Sequence, residues 1–217
     1  MFKTFLKTAL VCAVSCTVFA QAPENLGLLK DKLIAYHDSG AYAQDIQAVA
    51  KKAQDYLASR YNAPHHHKLA IVFDIDETSL SNYQDMLDLN FGGKLQEIID
   101  AEDVGRDTPI KPVRALFNQA KAHHVAIFFI TGRNEKARAS TIKNLTSAGF
   151  NGWQQLILKP DSHNHDRSVV TYKAAMRKKI IEMGYDIVVN IGDQDSDLKG
   201  GYADKTFKLP NPYYFLP

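Results

Sequence analysis

The amino-acid sequence predicts an α/β fold, a doubly wound parallel sheet with a small helical cap, and three observations lead there. Four short runs are apolar and rich in β-branched or aromatic residues, as strands buried on both faces are: Leu69-Ala-Ile-Val-Phe73, Val125-Ala-Ile-Phe-Phe-Ile130, Leu156-Ile-Leu158 and Ile187-Val-Val-Asn-Ile191. Helical stretches separate these runs, and strand–helix alternation is the pattern of a parallel sheet covered on both faces. The chain has 217 residues, 45% of them hydrophobic and 23% charged, which is the composition of a globular protein able to bury a core.

The first element is a leader. Lys3 and Lys7 precede an apolar run that ends in small residues at Val18-Phe19-Ala20 or Ala20-Gln21-Ala22, so residues 1–22 read as a secretory signal peptide. The run is shorter than the roughly 20 residues a membrane span requires, which excludes an anchor of that kind. Ala13-Val14-Ser15-Cys16 loosely matches a lipoprotein cleavage box, but Thr17-Val18-Phe19 after it is more apolar than a polar tether. Export to a periplasmic or secreted location is therefore preferred to lipid attachment at Cys16. Cleavage removes both cysteines, Cys12 and Cys16, so the mature chain has no internal disulfide to rely on. It also removes two lysines and no acid, taking the formal net charge from +2 to zero. Neither value gives an electrostatic footprint for nucleic acid.

Along residues 41–57, Ile46, Val49, Ala50, Ala53, Tyr56 and Leu57 recur at helical spacing and predict an amphipathic helix. Pro64-His65-His66-His67 ends it; with no cysteine or acid at ligand spacing, the histidines read as a solvated linker. The first strand follows, Leu69 to Phe73. Residues 79–108 then interrupt the alternation, and with residues 23–64 they are expected to supply the cap. Tyr83 and Phe91 in this insertion either pack within the cap or stack on an aromatic leaving group. Three further helices are expected: Pro112 to His123, Asn134 to Ala148 stopped by Gly149, and Val170 to Met183 stopped by Gly184.

The chemistry-bearing residues follow the predicted strands, where open α/β sheets place their ligands. Asp74-Ile75-Asp76 comes directly after the first strand, and two acids at this spacing can serve as nucleophile and proton donor. Burying two carboxylates together is costly without a compensating cation or proton, so the pair asks for a metal. Thr131-Gly132-Arg133 after the second strand reads as a turn opening into a helix, whose free N–H groups suit phosphate. Gly192-Asp193-Gln194-Asp195-Ser196-Asp197 follows the last strand and, with Asp74, offers hard oxygen ligands suited to Mg²⁺. The acid loop is not an EF-hand, since glycine is missing at position 6 and glutamate at position 12. Lys159 and Lys173 are both candidates to neutralise the same anion.

Taken in order, these segments resemble the acid phosphatases of the haloacid dehalogenase superfamily, subfamily IIIB, in the branch of plant acid phosphatases, vegetative storage proteins and bacterial secreted enzymes. Val72-Phe-Asp-Ile-Asp-Glu-Thr-Ser-Leu-Ser-Asn82 is similar to the first motif and Phe129-Ile-Thr-Gly-Arg133 to the second. Tyr172-Lys173 is similar to the third motif, Asn190-Ile-Gly-Asp-Gln-Asp-Ser-Asp-Leu198 to the fourth, and Phe207-Lys-Leu-Pro-Asn-Pro212 to the ending. The resemblance implies a Rossmannoid, haloacid dehalogenase-like sheet and hydrolysis of small phosphomonoesters, nucleoside monophosphates or other small organic phosphates. It implies Asp74 as nucleophile through an aspartyl-phosphate, Asp76 as a protonated acid, and phosphate contacts from Thr131, Gly132 and Lys173. It further implies Mg²⁺ held by Asp74, the Asp76 carbonyl and Asp193, with Asp197 orienting a metal-bound water or Lys173. An acidic optimum follows from Asp76 acting first as acid.

Storage-type relatives can lose the first aspartate, whereas Asp74 and Asp76 are both present here; a non-enzymatic storage or binding protein is the competing reading. A phospho-accepting signalling domain shares the Asp and Lys chemistry, but export argues against it. Arg133 clamps substrate or pairs with an acid of the core. Asp195 is expected to face solvent, and His163 and His165 either touch substrate or sit in an exposed loop. The cap residues are expected to set leaving-group choice, and a homo-oligomer is one option for the assembly.

Overall fold

The computed structural model describes residues 22–161 and 169–216; the leader up to Gln21, with Cys12 and Cys16, and the loop carrying His163 and His165 lie outside the described residues. Its elements in chain order are α1 (Leu26–Asp38), α2 (Ala41–Tyr61), β1 (Lys68–Phe73), β2 (Leu80–Ser81), α3 (Tyr83–Asp88), α4 (Leu95–Val104), β3 (Thr108–Pro109), α5 (Lys111–Ala122) and β4 (Ala126–Asn134). A short 3₁₀ turn (Glu135–Ala137) leads into α6 (Arg138–Ser147), followed by β5 (Gln155–Lys159), α7 (Val169–Glu182), β6 (Tyr185–Gly192), α8 (Asp195–Leu198) and β7 (Lys205–Lys208). Among the described residues no helix is long and apolar enough to cross a membrane.

The main sheet has five strands in the order β5-β4-β1-β6-β7, all parallel. From central β1 the chain winds outward through β4 and β5, then returns to β6 and β7 on the other side. The two directions diverge at the carboxyl end of β1, which is where a doubly wound sheet opens a crevice. Alternate residues of the central strands face opposite layers. Ile71, Phe73, Ile127, Phe129, Val189 and Ile191 join one core with α2, α5 and α6, while Ala70, Val72, Phe128, Ile130 and Ile187 meet Tyr172 and Ile180 of α7. The near-continuous apolar runs are what this two-sided burial requires.

Four differences from the sequence expectation have physical causes. A fifth strand, β7, is added at the edge: only Phe207 of Lys205-Thr-Phe-Lys208 is buried, and edge strands carry such lysines. The second strand continues through Thr131-Gly132-Arg133 to Asn134 instead of turning into a helix, with the irregularity absorbed as a register shift against β5 between Ile130 and Asn134. α2, expected in the cap, lies over the sheet and buries Tyr42, Ile46, Ala50, Ala53 and Leu57. The helix expected from Asn134 begins as the 3₁₀ turn and becomes α-helical at Arg138. Gly149 and Gly184, read as helix stops, have φ of 89° and 88°, the left-handed conformation that closes a helix.

The insertion after β1 is a ribbon of β2 paired antiparallel with β3, carrying α3 and α4. Tyr83 stacks on His37 at 3.4 Å, and Phe91 stacks on Tyr213 at 5.9 Å, so both aromatics pack within the protein.

Candidate active site

β1 delivers Asp74, whose N–H donates to the Ile191 carbonyl at 3.0 Å and whose own carbonyl accepts from the Ser79 hydroxyl at 2.7 Å. These bonds fix the first turn after the strand. β6 delivers Asp193, and the adjoining α8 delivers Asp197. One carboxylate oxygen from each of Asp74, Asp193 and Asp197 lies within 4.8 Å of the others, and all three residues are buried. Such a set of hard oxygen donors fits a divalent cation of the Mg²⁺ type.

Lys173 comes from α7, which packs on the Val72 and Phe128 face of the sheet. Its Nζ donates to Asp74 Oδ1 at 2.6 Å and to Asp197 Oδ1 at 2.5 Å, with only 5% of the side chain exposed. Burial works against its charge, but Asp197 and Asp74 outweigh that and raise its pKa. Lys159 ends edge strand β5 beside Asn134, whereas Lys173 is the lysine that reaches Asp74. Burial raises the Asp74 carboxyl well above the usual carboxylate range; Asp197 adds to this and Lys173 opposes it. Burial and the charge of Asp197 push Asp193 up to about 6, while Asn211 and Gln194 act the other way.

Asp76 is placed differently from expectation. Arg133 Nη2 donates to its Oδ1 at 2.6 Å, Arg133 Nε donates to both of its oxygens at 3.1–3.2 Å, and Asn82 adds a bond at 3.1 Å. Burial would raise this carboxyl, yet Arg133 and Asn82 prevail and hold it below its ordinary value. The residue expected to act as a protonated acid is therefore a paired carboxyl in this arrangement, with Arg133 favouring its charged form. Arg133 is itself buried and also reaches Asp107 at 3.2 Å, so it pairs with acids of the core. Burial pushes the Asp107 carboxyl up to about 7 against the lowering effect of Arg133.

The Thr131 hydroxyl accepts from the Arg133 N–H at 3.1 Å and is buried, while Gly132 is exposed with nothing within 4 Å of where a Cβ would stand. That open backbone leaves room for an anion to approach the strand end. Asp197 accepts from Lys173 through one oxygen and from the Gln194 N–H at 2.8 Å through the other, as part of a capping box on α8. Asp195, as expected, points outward, about half exposed and paired with Lys199 at 2.9 Å.

The HAD superfamily, subfamily IIIB (acid phosphatase) family model matches residues 6–217. The chain belongs to that family. Acid phosphatase 1 of Solanum lycopersicum is 32% identical over 190 residues, covering 86% of this chain and 74% of its own length. Vegetative storage protein 1 of Arabidopsis thaliana is 30% identical over 210 residues, covering 92% and 73%. The class C acid phosphatase from Bacillus anthracis has the same fold, with a TM-score of 0.70 at 20% identity over 87% of this chain and 86% of that one.

Further residues of this subfamily IIIB site support the acids. Glu77, held at a φ of 46°, accepts from the Tyr42 hydroxyl at 2.5 Å, the Asn82 N–H at 2.5 Å and Ser81 at 3.1 Å. Burial still pushes it up to about 7 against those donors. Thr78, Gln194 and Asn211 each donate to Asp193, at 3.1, 2.6 and 2.7 Å. Arg177 of α7 is buried and donates to the carbonyls of Asp197 at 2.6 Å, Gly201 at 2.8 Å and Lys199, tying the acid loop to the helix. A methyl group at Gly192 would overlap the Asp197 side chain, so glycine is needed there for close approach. Glu77, Thr78, Gly192, Gln194 and Asn211 fall within the segments that resemble the family's motifs, but no pattern gives them a role, and Tyr42 and Arg177 lie outside those segments.

Proposed function

We propose that this chain is an exported, Mg²⁺-dependent acid phosphatase that hydrolyses small phosphomonoesters through an aspartyl-phosphate on Asp74. The observation that carries the reading is Lys173 Nζ lying 2.6 Å from Asp74 and 2.5 Å from Asp197 at the strand ends. An ammonium in that position neutralises a phosphoryl group brought to the Asp74 carboxylate.

In the first half-reaction an Asp74 oxygen forms a bond to phosphorus as the ester P–O bond breaks, and the leaving oxygen receives a proton from Asp76. In the second, water attacks the same phosphorus, Asp76 takes the water's proton, and inorganic phosphate leaves with Asp74 restored. Thr131, the Gly132 N–H and Lys173 stabilise charge on the phosphoryl oxygens. Asp76 must first gain a proton against its pairing with Arg133, and acidic medium favours that step. Mg²⁺, held by the Asp74 and Asp193 carboxylates and the Asp76 carbonyl, would supply charge neutralisation at the phosphoryl group. Asp197 holds Lys173 in position.

The presence of Asp74 and Asp76 supports catalysis over a storage role, although relatives include proteins named for storage. Export rests on Lys3, Lys7 and the apolar run that follows. Activity of the purified mature protein on p-nitrophenyl phosphate, with Mg²⁺ or EDTA, tests the proposal. Turnover is expected with Mg²⁺ only, falling at least about 10³-fold in Asp74→Asn. Full activity in Asp74→Asn would end the nucleophile assignment. Cell fractionation tests export, and a wholly cytoplasmic enzyme would end that part.

A further inference from the structure

A second concave site lies at the other end of the sheet. It is a groove of about 530 Å³ lined by the starts of β1 and β4 and by the loops before β4 and β5. Lys68 opens β1 in this groove, six residues before Asp74, which separates the two sites by about 20 Å of extended strand. The volume falls within the range of about 300–1,000 Å³ usual for small-molecule sites.

The lining has a definite chemical character. Tyr61 and His123 stack with ring centroids 3.8 Å apart and planes 9° from parallel, and Gln119 donates to the Tyr61 hydroxyl at 3.1 Å, which fixes that ring. Trp153 and Tyr185 supply further aromatic surface, and Trp153 is itself held edge-on against Phe129 at 5.8 Å. Among the described residues the lysines of the groove are Lys68 and Lys121, and its lining includes no Asp or Glu. Asp186, which neighbours Tyr185 in the chain, is engaged by His67 at 3.0 Å.

Lys121 is positioned for this. Its Nζ donates to the Asn151 carbonyl at 2.8 Å and crosses over Gly152, where a Cβ would stand 3.2 Å from the ammonium. Gly152 has a φ of 83°, so glycine is favoured there on both counts. One of the three ammonium protons is spent on Asn151, and the others remain available to a ligand.

We infer that this groove binds a small aromatic anion, with the ring against Trp153 and the Tyr61–His123 pair and the anionic group toward Lys68 and Lys121. Planar faces beside two lysine ammonium groups, with no Asp or Glu among the described lining residues, are complementary to a ring bearing phosphate, phosphonate or carboxylate. The site is independent of turnover at Asp74.

Trp153 is the chain's single tryptophan, so its emission reports the groove directly. The test titrates the whole protein with phenylphosphonate, whose C–P bond is not a phosphomonoester linkage, and in parallel with benzoate, phenol and inorganic phosphate. Saturable change is expected for phenylphosphonate and benzoate, with Kd about 0.1–1 mM, and at least tenfold weaker for phenol and phosphate. Lys68→Gln and Lys121→Gln should each weaken phenylphosphonate about 2–5-fold, the yield of an exposed charge pair, without altering its inhibition constant against p-nitrophenyl phosphate. Four results overturn the inference. They are no saturable emission change up to 20 mM; phenol or phosphate binding as well as the aryl anions; no response to either lysine substitution; or an emission change that tracks the active-site inhibition constant.

Discussion

Replacing Lys173 by methionine tests how the buried charges are held. The substitution keeps the side-chain length and removes the ammonium that lies 2.6 Å from Asp74 and 2.5 Å from Asp197, with Asp193 close by. All of these groups are buried, so water cannot take over the lost interaction. Removing one partner of a buried pair typically costs about 3–5 kcal/mol, because the charge left behind is uncompensated. With a urea m-value of about 2–3 kcal/mol/M for a chain of this size, the midpoint at pH 7.5 should fall by about 1–2.5 M.

The pH dependence gives a second, sharper readout. Asp74 is already raised by burial and by Asp197, and loss of Lys173 removes a group that lowers it. A carboxyl whose folded pKa exceeds its unfolded value near 3.9 makes the native state bind more protons, so stability falls as pH rises through the folded pKa. The deficit of Lys173→Met should therefore shrink to about half at pH 5, where protons replace the missing cation. In the wild type, Lys173 has a raised pKa, so its stabilisation is complete below its unfolded value near 10.4 and is the same at both pH values. The assay is urea denaturation at pH 7.5 and 5.0, without metal. An unchanged midpoint, or a deficit equal at the two pH values, would refute the charge-compensation account.

Three other outcomes follow from the same geometry. Mg²⁺ at 100 times its Kd should stabilise the protein by about 2.7 kcal/mol and raise Tm by about 5–10 °C in thermal denaturation, with the shift lost in Asp193→Asn. Arg133→Lys keeps a positive charge but not the fork that spans both oxygens of Asp76; a cost of about 1–3 kcal/mol and an altered pH profile of kcat are expected, measured by denaturation and steady-state kinetics. Glu77, pushed up to about 7, loses stability as pH rises from its unfolded value near 4.3 through the folded one. Glu77→Gln should therefore flatten the decline in stability between pH 4.5 and 8 by about 1–3 kcal/mol, read as Tm against pH.

What the sequence carried was local or one-dimensional. The placement of Asp74, Asp76 and Asp193 beyond the strand ends was legible because each follows an apolar run whose composition declares a buried strand, and the ends of such strands are where open α/β sheets place ligands. The extension of β4 through Gly132 was not legible, since glycine reads as a turn when the strand partner that absorbs the register shift is unknown. β7 was hidden by its lysines, which mark an edge only when the neighbouring strand is in view. Arg177 looks like any polar residue of an amphipathic helix, yet it serves carbonyls 20 to 24 residues away. Tyr42 and Glu77 meet across 35 residues, a contact that depends on α2 lying over the sheet. The fate of Asp76 is the same kind of problem. Its position in the sequence suggests a proton donor, and only the approach of Arg133 from β4 makes it a paired carboxylate.

The two charge clusters at the strand ends are balanced in different ways, and the difference bears on what each can accept. Asp76 and Asp107 share Arg133, and Asp107, pushed up to about 7, can relieve the remaining negative charge by taking a proton. That cluster closes on itself. Among the described residues one ammonium, that of Lys173, forms the ion pairs of the Asp74, Asp193 and Asp197 carboxylate cluster, which leaves those four groups a formal charge of −2 when all three acids are ionised; Lys208 and Arg177 reach only the Asp193 and Asp197 carbonyls. Protons can relieve it, as the raised Asp74 and Asp193 indicate, but a protonated Asp74 is a poor nucleophile. A divalent cation cancels the same charge while keeping Asp74 ionised, and its affinity should fall as protons compete for those carboxylates. On the proposed mechanism acidity therefore acts in opposite directions at the two clusters: it would supply the proton that Asp76 must gain and weaken cation binding at Asp74 and Asp193. A bell-shaped pH profile whose acidic limb moves to lower pH as Mg²⁺ is raised is the expected signature, and an acidic limb independent of Mg²⁺ would separate the cation from the Asp74 cluster.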